Sequence, residues 1–585
     1  YIAIRAWDSS PDSIVSRLSR RDSGEGDAVG IEFDSYLDHK TAFSFLVNAA
    51  GVKSDKIITN DGDHEDYNWD PIWTVKTQVD EQGWVAEMEI PLNQIRFNAL
   101  PSHTWGLQIG RYIFRKDELS LWQPVARDAP GWVHQYGLLV GIEGIKPKRQ
   151  IEIAPYLLAQ AEKYKEDLDN PFSTGKRNRF AGGLDAKMGI TNHITLDLTL
   201  YPDFGQVEAD PSVVNLTAFE TYFPEKRPFF VEGRDLFDFS FSMGDNGNAS
   251  ENLFYSRRIG RRPQGDPELN DGEYSNVPTN TEIISATKVT GKTSNNVSFG
   301  VMNAITASEE AQIGTNGSKR TEMVEPLTNY LVGTLGKDYS EGNTRVKVLG
   351  TTTNRNITTD ELMFLHKDAI TGGAELLHQW NNKNYYLNAR GFFSHVEGSP
   401  DAILRTQTSS NRYFQRPDAG HVSVDSMRTS LTGHGGSLAF GKGGDGHWRF
   451  ATFATWKSPG LEVNDVGFVR GVDEIFQVCW VGYSYWEPFM VFRRININFN
   501  QWSGHNFEGE RSYLGGNVNL NGQLKNHWYI GGGASLQGEG VSFTALRGGP
   551  SLRTSGGVNP WVFVTTDGRK RIILSANASL FEGES

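Results

Sequence analysis

Sugar recognition requires flat aromatic faces to pack on C–H groups, with amides, carboxylates or guanidinium groups beside them for the hydroxyls. In the first quarter of the chain Trp69, Trp73 and Trp122 supply such faces, and Arg96 and Arg111 supply polar partners. Trp73 and Trp84 begin strands whose alternation points inward, so core packing is the better reading for those two. Trp69 and Trp122 remain the sugar-binding candidates, with Arg96 and Arg111. The acidic cluster Asp61, Asp63, Glu65 and Asp66 offers several hard oxygen ligands from one loop, which is calcium chemistry. It lacks the glycine and the twelve-residue spacing of an EF-hand loop, and a solvated charged turn is the competing reading.

A second constellation mixes Glu208, Asp210, Glu220, Glu225, Lys226, Arg227 and Glu232 with Phe219, Tyr222, Phe223, Phe229 and Phe230, and Arg257, Arg258, Arg261 and Arg262 follow it. No catalytic constellation is present: there is no Gly-x-Ser-x-Gly elbow, no His-Glu-x-x-His helix and no phosphate loop. Carboxylate pairs arise by chance among 70 acidic residues, so they make no case for glycoside hydrolysis. The single cysteine, Cys479, excludes an internal disulfide framework and reads as a small hydrophobe within a strand.

Two kinds of β-structure position these residues. Residues 1 to about 145 carry short strands at 1–7, 28–34, 42–49, 72–79, 84–90, 105–115 and 134–142, which together predict a β-sandwich. Within it Trp84, Ala86, Met88 and Ile90 alternate with Val85, Glu87 and Glu89 until Pro91 stops the strand. The stretch 145–149 reads as a hinge.

From residue 150 onward the strands lengthen and keep a strict period of two. Ile194, Leu196, Leu198 and Leu200 alternate with Thr195, Asp197 and Thr199, and Ile495, Ile497 and Phe499 alternate with asparagines 496, 498 and 500. Val518 and Leu520 alternate with asparagines 517, 519 and 521. Hairpin residues fall at Thr191-Asn192, Asn381-Asn382, Gly443–Gly446, Lys525-Asn526 and Asp567-Gly568. Longer polar stretches lie near 308–326, 354–369, 396–429 and 503–511. Tight turns alternating with long loops predict an antiparallel transmembrane barrel of about eighteen strands. Trp448 and Trp456 share one face eight residues apart, roughly 19 Å along the membrane normal for a tilted strand, which suits two aromatic girdles. A soluble propeller would repeat every 40 to 50 residues or so, and no such repeat is found.

Composition agrees. Hydrophobic residues make up 38% of the 585, yet glycine reaches 63 and aromatics 12%, which suits long ribbons with aromatic belts. No run of about 18 apolar residues occurs, so no transmembrane helix is expected. The net charge of −13 argues against a nucleic-acid partner. The charges of 203–233 cannot face lipid, where each costs about 2–4 kcal/mol, so they must line the lumen, fold in as a plug or sit at a rim. There a structural ion-pair network and a role in transport are both open.

The run Tyr201-Pro202-Asp203-Phe204-Gly205-Gln206-Val207-Glu208-Ala209-Asp210-Pro211, continuing through Phe219-Glu220-Thr221-Tyr222-Phe223-Pro224-Glu225-Lys226-Arg227-Pro228-Phe229-Phe230 to Gly233, resembles the signature of Bacteroidetes-type outer-membrane proteins known as domain of unknown function 5916. Asn464–Phe468 and Arg547–Pro550 are similar to that family as well. The resemblance covers about residues 150 to 585 and implies a barrel that continues beyond Ser585. Trp69–Trp73 and Gly83–Phe97 make the first domain resemble carbohydrate-binding module family 9, which implies a jelly-roll-like sandwich, sugar binding between aromatic side chains and, in some members, structural calcium. Tyr1 lies inside a strand pattern, so an export signal and the opening of the first domain are expected to precede it.

The chain is therefore expected in the outer membrane, domain 1–145 in the periplasm and barrel 150–585 in lipid. Its expected function is binding or passage of glycans or other polymers. A scaffold within an envelope complex, with envelope-protein partners and no sugar binding, is the alternative, and a glycan-processing protein is a third. No cofactor is required, calcium being the one candidate. Segment 203–233 is expected at the inner wall or in the lumen, with its carboxylates paired to arginines 257, 258, 261 and 262.

Overall fold

The computed structural model describes residues 1–583 apart from 24, 68, 99, 146–150, 192, 204–211, 243–249, 294, 316 and 341. Ile2–Trp7, Gly83–Glu89 and Thr74–Asp80 form one sheet of the first domain. Gly137–Glu143, Ser102–Ile113, Ala28–Asp34, Ala42–Asn48, Lys53–Thr59 and His64–Asp66 form the other in that order, with Glu118–Leu121 also against Ser102–Ile113. Phe33, Phe43 and Phe45 from the larger sheet meet Trp84, Ala86 and Met88 from the smaller, and Trp73 is buried with them. Three strands escape the sequence reading, namely Lys53–Thr59, His64–Asp66 and Glu118–Leu121. They are short and mostly polar, so no apolar alternation marks them.

The second domain is one antiparallel sheet of 18 strands. In pairing order they are Ile151–Lys163, Lys176–Gly189, Ile194–Leu200, Ile283–Lys292, Val297–Thr306, Thr328–Tyr339, Thr344–Arg355, His366–Trp380, Tyr385–Gly398, Ser430–Lys442, Trp448–Lys457, Glu474–Tyr485, Phe492–His505, Arg511–Leu524, Tyr529–Gln537 and Gly557–Thr565. Ser575–Ser579 and Glu582–Gly583 both lie against Gly557–Thr565.

Burial in this sheet is inverted relative to a water-soluble domain. Val348, Phe393, Leu438, Phe499 and Val562, on five strands, are 43%, 50%, 52%, 46% and 57% exposed. Their neighbours one residue away, such as Lys347, Phe392 and Ser437, point inward. So extensive an apolar band belongs against lipid and forms the outside of a barrel wall. Near one end of the wall Trp380 stacks on Tyr385 and Phe440 at 5.9 and 6.1 Å, and Trp448 meets Tyr483 at 4.8 Å. This ring of aromatics is a girdle of the interfacial kind. No helix is long and apolar enough to cross a membrane among the described residues.

At that end the strands reverse over a few residues; at the other, long segments intervene. Two of those segments are structured where the sequence suggests only polar loops. Glu309–Gly314 and Lys319–Glu325 form a hairpin that also takes Tyr274–Asn276, and Pro400–Gln407 is a helix. Ser399 caps that helix, its Oγ accepting from the Ala402 amide at 3.1 Å, with Pro400 at the first position. Strand residues also reach to Arg355, Gly398 and His505, past the expected loop boundaries.

The sandwich covers the short-reversal end and touches reversals all around it. Tyr36 faces His193, Lys292 pairs with Asp38, Lys40 with Asp338 at 2.7 Å and Lys383 with Asp61 at 2.7 Å. Further round, Asp128 accepts from the Gly446 amide, Arg127 donates to the Trp486 carbonyl, Arg493 pairs with Asp117 and Arg569 donates to the Arg115 carbonyl.

The orientation of the wall makes a direct prediction. Phe499→Arg places a charge on the lipid face and should cost about 2–4 kcal/mol of stability in vesicles, read from a denaturant titration of Trp fluorescence. Asn498→Ser, on the other face, should cost less than about 1 kcal/mol; equal effects would mean that the two faces are wrongly assigned.

Candidate functional site

Inside the wall the chain turns back on itself. Residues 223–241 and 251–259 pack against the inner face, where Phe229, Phe230, Phe237, Phe239, Phe241 and Leu253 form one core with Met302, Val332, Leu349 and Phe392 of the strands. Glycines on the wall make room for these rings. A Cβ at Gly300 would fall 2.7 Å from Phe237, and one at Gly373 would fall 2.6 Å from Phe239. The segment contains only short helical turns, Pro228–Val231, Arg234–Phe237 and Ser256–Arg258, so most of its backbone carbonyls lack a repetitive partner.

Cations from the wall take up those carbonyls. Lys288 Nζ donates to the Phe229 and Glu232 carbonyls, both at 2.6 Å, and is buried. Lys347 Nζ donates to the Asp235 and Asp238 carbonyls at 3.2 and 2.6 Å, and Arg390 to the Ser240 carbonyl at 3.0 Å. Lys457 reaches the Glu251 carboxylate at 2.8 Å, and Lys187 pairs with Glu232. Within the segment the buried Arg227 binds Glu225 at 2.7 Å and the carbonyls of Ser256 and Ile259, each at 2.9 Å.

Between this plug, the wall and the sandwich lies a cavity of about 1060 Å³. The sandwich contributes Trp69, Gln94, Arg96, Asp61, Asp63 and Asp66, the plug Glu232, Asp235 and Asp238, and the wall Lys187, Lys337, Lys347 and Lys383. Sandwich and plug touch directly at its edge. His64 Nε2 lies 3.0 Å from Asp235, whose other oxygen accepts from Thr59 Oγ1 at 3.0 Å, and Arg96 lies 3.6 Å from Glu232.

Trp69 and Arg96 thus come together on the cavity, where Trp69 also packs on Phe43 and Phe45 at 5.1 and 5.5 Å. Trp122 and Arg111 stand elsewhere. Trp122 is 53% exposed beside Gly137, and Arg111 bonds Asp8 and the Trp7 carbonyl. Asp61 of the acidic cluster is buried, its oxygens taken by Lys383, His134 at 2.6 Å and the amides of Trp132 and His134. Burial alone would raise its pKa, but His134 and Lys383 bring it below the usual carboxylate value. Burial, then the neighbouring Asp61 charge, pushes Asp63 up. Glu65 binds Lys56 at 2.6 Å, and Asp66 lines the cavity. Among the described residues no group of three or more His, Cys, Asp or Glu is arranged to hold a metal ion.

Of the charged signature, Glu208 and Asp210 lie outside the described residues. Glu225, Arg227 and Glu232 belong to the plug, and Lys226 is half-buried beside them. Arg258 pairs with Glu220 at 2.7 Å and donates to the Gly467 carbonyl, whereas Arg257 donates chiefly to the Pro224 carbonyl at 2.8 Å. Residues 212–218 are exposed, so the packed segment is not the whole of 203–233 and extends past it to Phe241 and Ile259. Sequence reasoning missed the wall cations Lys288, Lys347, Arg390 and Lys457 and the contact His64–Asp235. Lys288 left a signal, a lone cation on the inward face of Ala286, Lys288 and Thr290; His64 left none.

A family model described as a domain of unknown function (DUF5916) matches residues 147–585. No curated protein sequence matches the chain. Among solved structures the chain is similar to OccK1 (OpdK) of Pseudomonas aeruginosa, at 8% identity and TM-score 0.28, covering 95% of this chain and 98% of that one. It is similar also to a BenF-like porin of Pseudomonas fluorescens Pf-5, at 7% identity and TM-score 0.29, covering 95% and 97%. Acinetobacter baumannii OccAB1 matches at 8% identity and TM-score 0.29, covering 95% of each chain.

The contact between sandwich and plug is expected to depend on pH. The Asp235 hydrogen bond holds the His64 pKa above its ordinary 6.5. Burial raises Asp235, but His64 and Thr59 outweigh it and leave Asp235 below 3.8. The stabilisation is therefore complete between about pH 4.5 and 6.5 and is lost as pH rises through the raised His64 value. Asp34, pushed up to about 7 by burial and Asp38, titrates in the same range elsewhere in the sandwich, so the readout must be local. Hydrogen exchange at amides 234–238 should accelerate several-fold from pH 6 to 8.5 after correction for intrinsic rates, and His64→Gln should flatten that profile.

Proposed function

We propose that this chain, which belongs to the DUF5916 family, is an outer-membrane barrel that binds and passes glycans or other polymers, with its sandwich in the periplasm. The observation that carries the reading is the plug: a folded-in segment held by reversible hydrogen bonds and ion pairs to the wall, over a cavity that the sandwich completes. The exposed apolar band and aromatic girdle support a place in the membrane. The short reversals, periplasmic in barrels of this kind, support the same side for the sandwich that caps them.

In this reading the sandwich presents Trp69, Gln94 and Arg96 to a polymer fragment in a cavity about as large as the largest usual ligand sites. Passage then requires the plug to shift, because Phe237, Phe239 and Phe241 fill the space beside the wall. Removing Lys288 would leave two carbonyls and Asp197 without their cation, a loss of about 3–5 kcal/mol for a buried partner.

Deleting residues 223–241, or replacing both Lys288 and Lys347 by methionine, should raise single-channel conductance several-fold in planar bilayers and sensitise cells to large antibiotics. Unchanged conductance in a variant that still shows heat-modifiable migration on gels would sink the proposal that this segment restricts passage.

A further inference from the structure

Among the described residues, the plug shares no core cluster, hydrogen bond or ion pair with one sector of the inner wall, formed by Glu474–Tyr485, Phe492–His505, Arg511–Leu524, Tyr529–Gln537 and Gly557–Thr565. The register fixes which residues face inward there, because Val481, Phe499, Val518 and Val562 are exposed on the outside. Between Glu474 and Arg511 at one end and Arg494 at the other, no inward position carries a charge. Neutral amides occupy the middle. Asn498 donates to Asn519 at 2.9 Å, Asn500 to Asn517 at 2.7 Å, and Asn521 to Asn519 at 3.1 Å.

Aromatic rings flank these amides on both sides and lie over glycines. A Cβ at Gly482 would fall 2.5 Å from Trp480 Cζ2, one at Gly515 2.6 Å from Trp502 Nε1, and one at Gly531 2.5 Å from Phe563 Cε1. Trp480 is tied to the ladder by its Nε1, which donates to Asn498 at 3.0 Å. On the far side Trp561 and Phe563 are parallel within 6° at 6.0 Å, and Tyr529 stacks on Phe563 at 6.1 Å. Rings lying flat on the wall present their faces to the lumen.

We infer that this sector is a binding track for uncharged, polyhydroxylated chains, that is, neutral oligosaccharides. Each asparagine amide has two donors and two acceptor lone pairs, and the ladder uses only part of them, leaving the rest for sugar hydroxyls. The ring faces supply the complementary surface for sugar C–H groups. Glycines on the inward face keep the path open where any side chain would collide with a ring. An anionic polymer would lose its hydration there and meet no cation in exchange. The inference rests on the reading of the chain as a passage barrel and names its substrate class.

The test is isothermal titration of the full chain in a detergent without a sugar headgroup, using maltohexaose, cellohexaose, xylohexaose and mannohexaose, with hexagalacturonate as the anionic comparison. At least one neutral hexasaccharide should bind and hexagalacturonate should not. The double variant Trp480→Ala/Trp502→Ala should bind about tenfold more weakly, while Trp480→Phe/Trp502→Phe stays within about twofold of wild type. Retention of full affinity by the folded alanine variant, equal binding of hexagalacturonate, or no binding by any neutral hexasaccharide overturns the track. Conductance on plug deletion is measured separately, so a conducting barrel that binds no sugar refutes the track and leaves the passage reading standing.

Discussion

A peptide carbonyl inside a barrel must find a donor, because burying it without one costs several kcal/mol. The wall strands meet this demand through their ladders, but the segment inside does not, having only short, isolated helical turns. Lys288, Lys347 and Arg390 resolve the conflict by donating to the carbonyls of residues 229, 232, 235, 238 and 240. The remaining architecture follows from this. Cations must project inward at fixed heights, so the strand register is set, and the strands' other faces are free to be apolar and meet lipid.

The phenylalanines and the cations act together on the plug. Phe237 and Phe239 lie against Gly300 and Gly373, where the absence of a Cβ brings the segment close enough for its carbonyls to reach the lysines. Gly131 has a similar part in the sandwich: its φ of +76° and bare α-carbon admit Asp61 Oδ2, which a Cβ would meet at 2.3 Å. Asp61 is thereby fixed to receive Lys383 from the wall. What looks in sequence like a solvated acidic turn is a socket for the barrel.

Strand periodicity made the wall legible, because Ile495, Ile497 and Phe499 alternate with asparagines as plainly in sequence as in space. The sandwich was legible for the same reason wherever its strands carry tryptophan or phenylalanine, and illegible at Lys53–Thr59, where charged and hydroxyl groups fill most positions. The site was less legible. Glu225, Arg227 and Glu232 announced a charged interior by their density, and Glu225 and Arg227 pair with each other, but the partners of Glu232, Lys187 and Arg96, lie far away in sequence. Trp122 and Trp69 look alike in sequence, yet only Trp69 reaches the cavity. The aromatic rings of the asparagine-bearing wall sector passed unnoticed because their meaning depends on glycines of neighbouring strands.

The same wall cations bear on how the plug could leave. Lys288 lies 3.6 Å from Asp197, Arg390 2.9 Å from Glu375, and Lys457 3.1 Å from Glu474, all carboxylates of the wall itself. Each of these three cations therefore has a partner that stays when the segment goes, so unseating the plug strands none of the three in a dry interior. The exposed carbonyls would be met by lumen water, which the polar inner face admits. A plug bound only by apolar packing would leave a sticky, dewetted wall behind, and one bound by unshared ion pairs would leave isolated charges at several kcal/mol each. Shared cations avoid both costs: the segment is held firmly while seated, and the wall is stable in its absence.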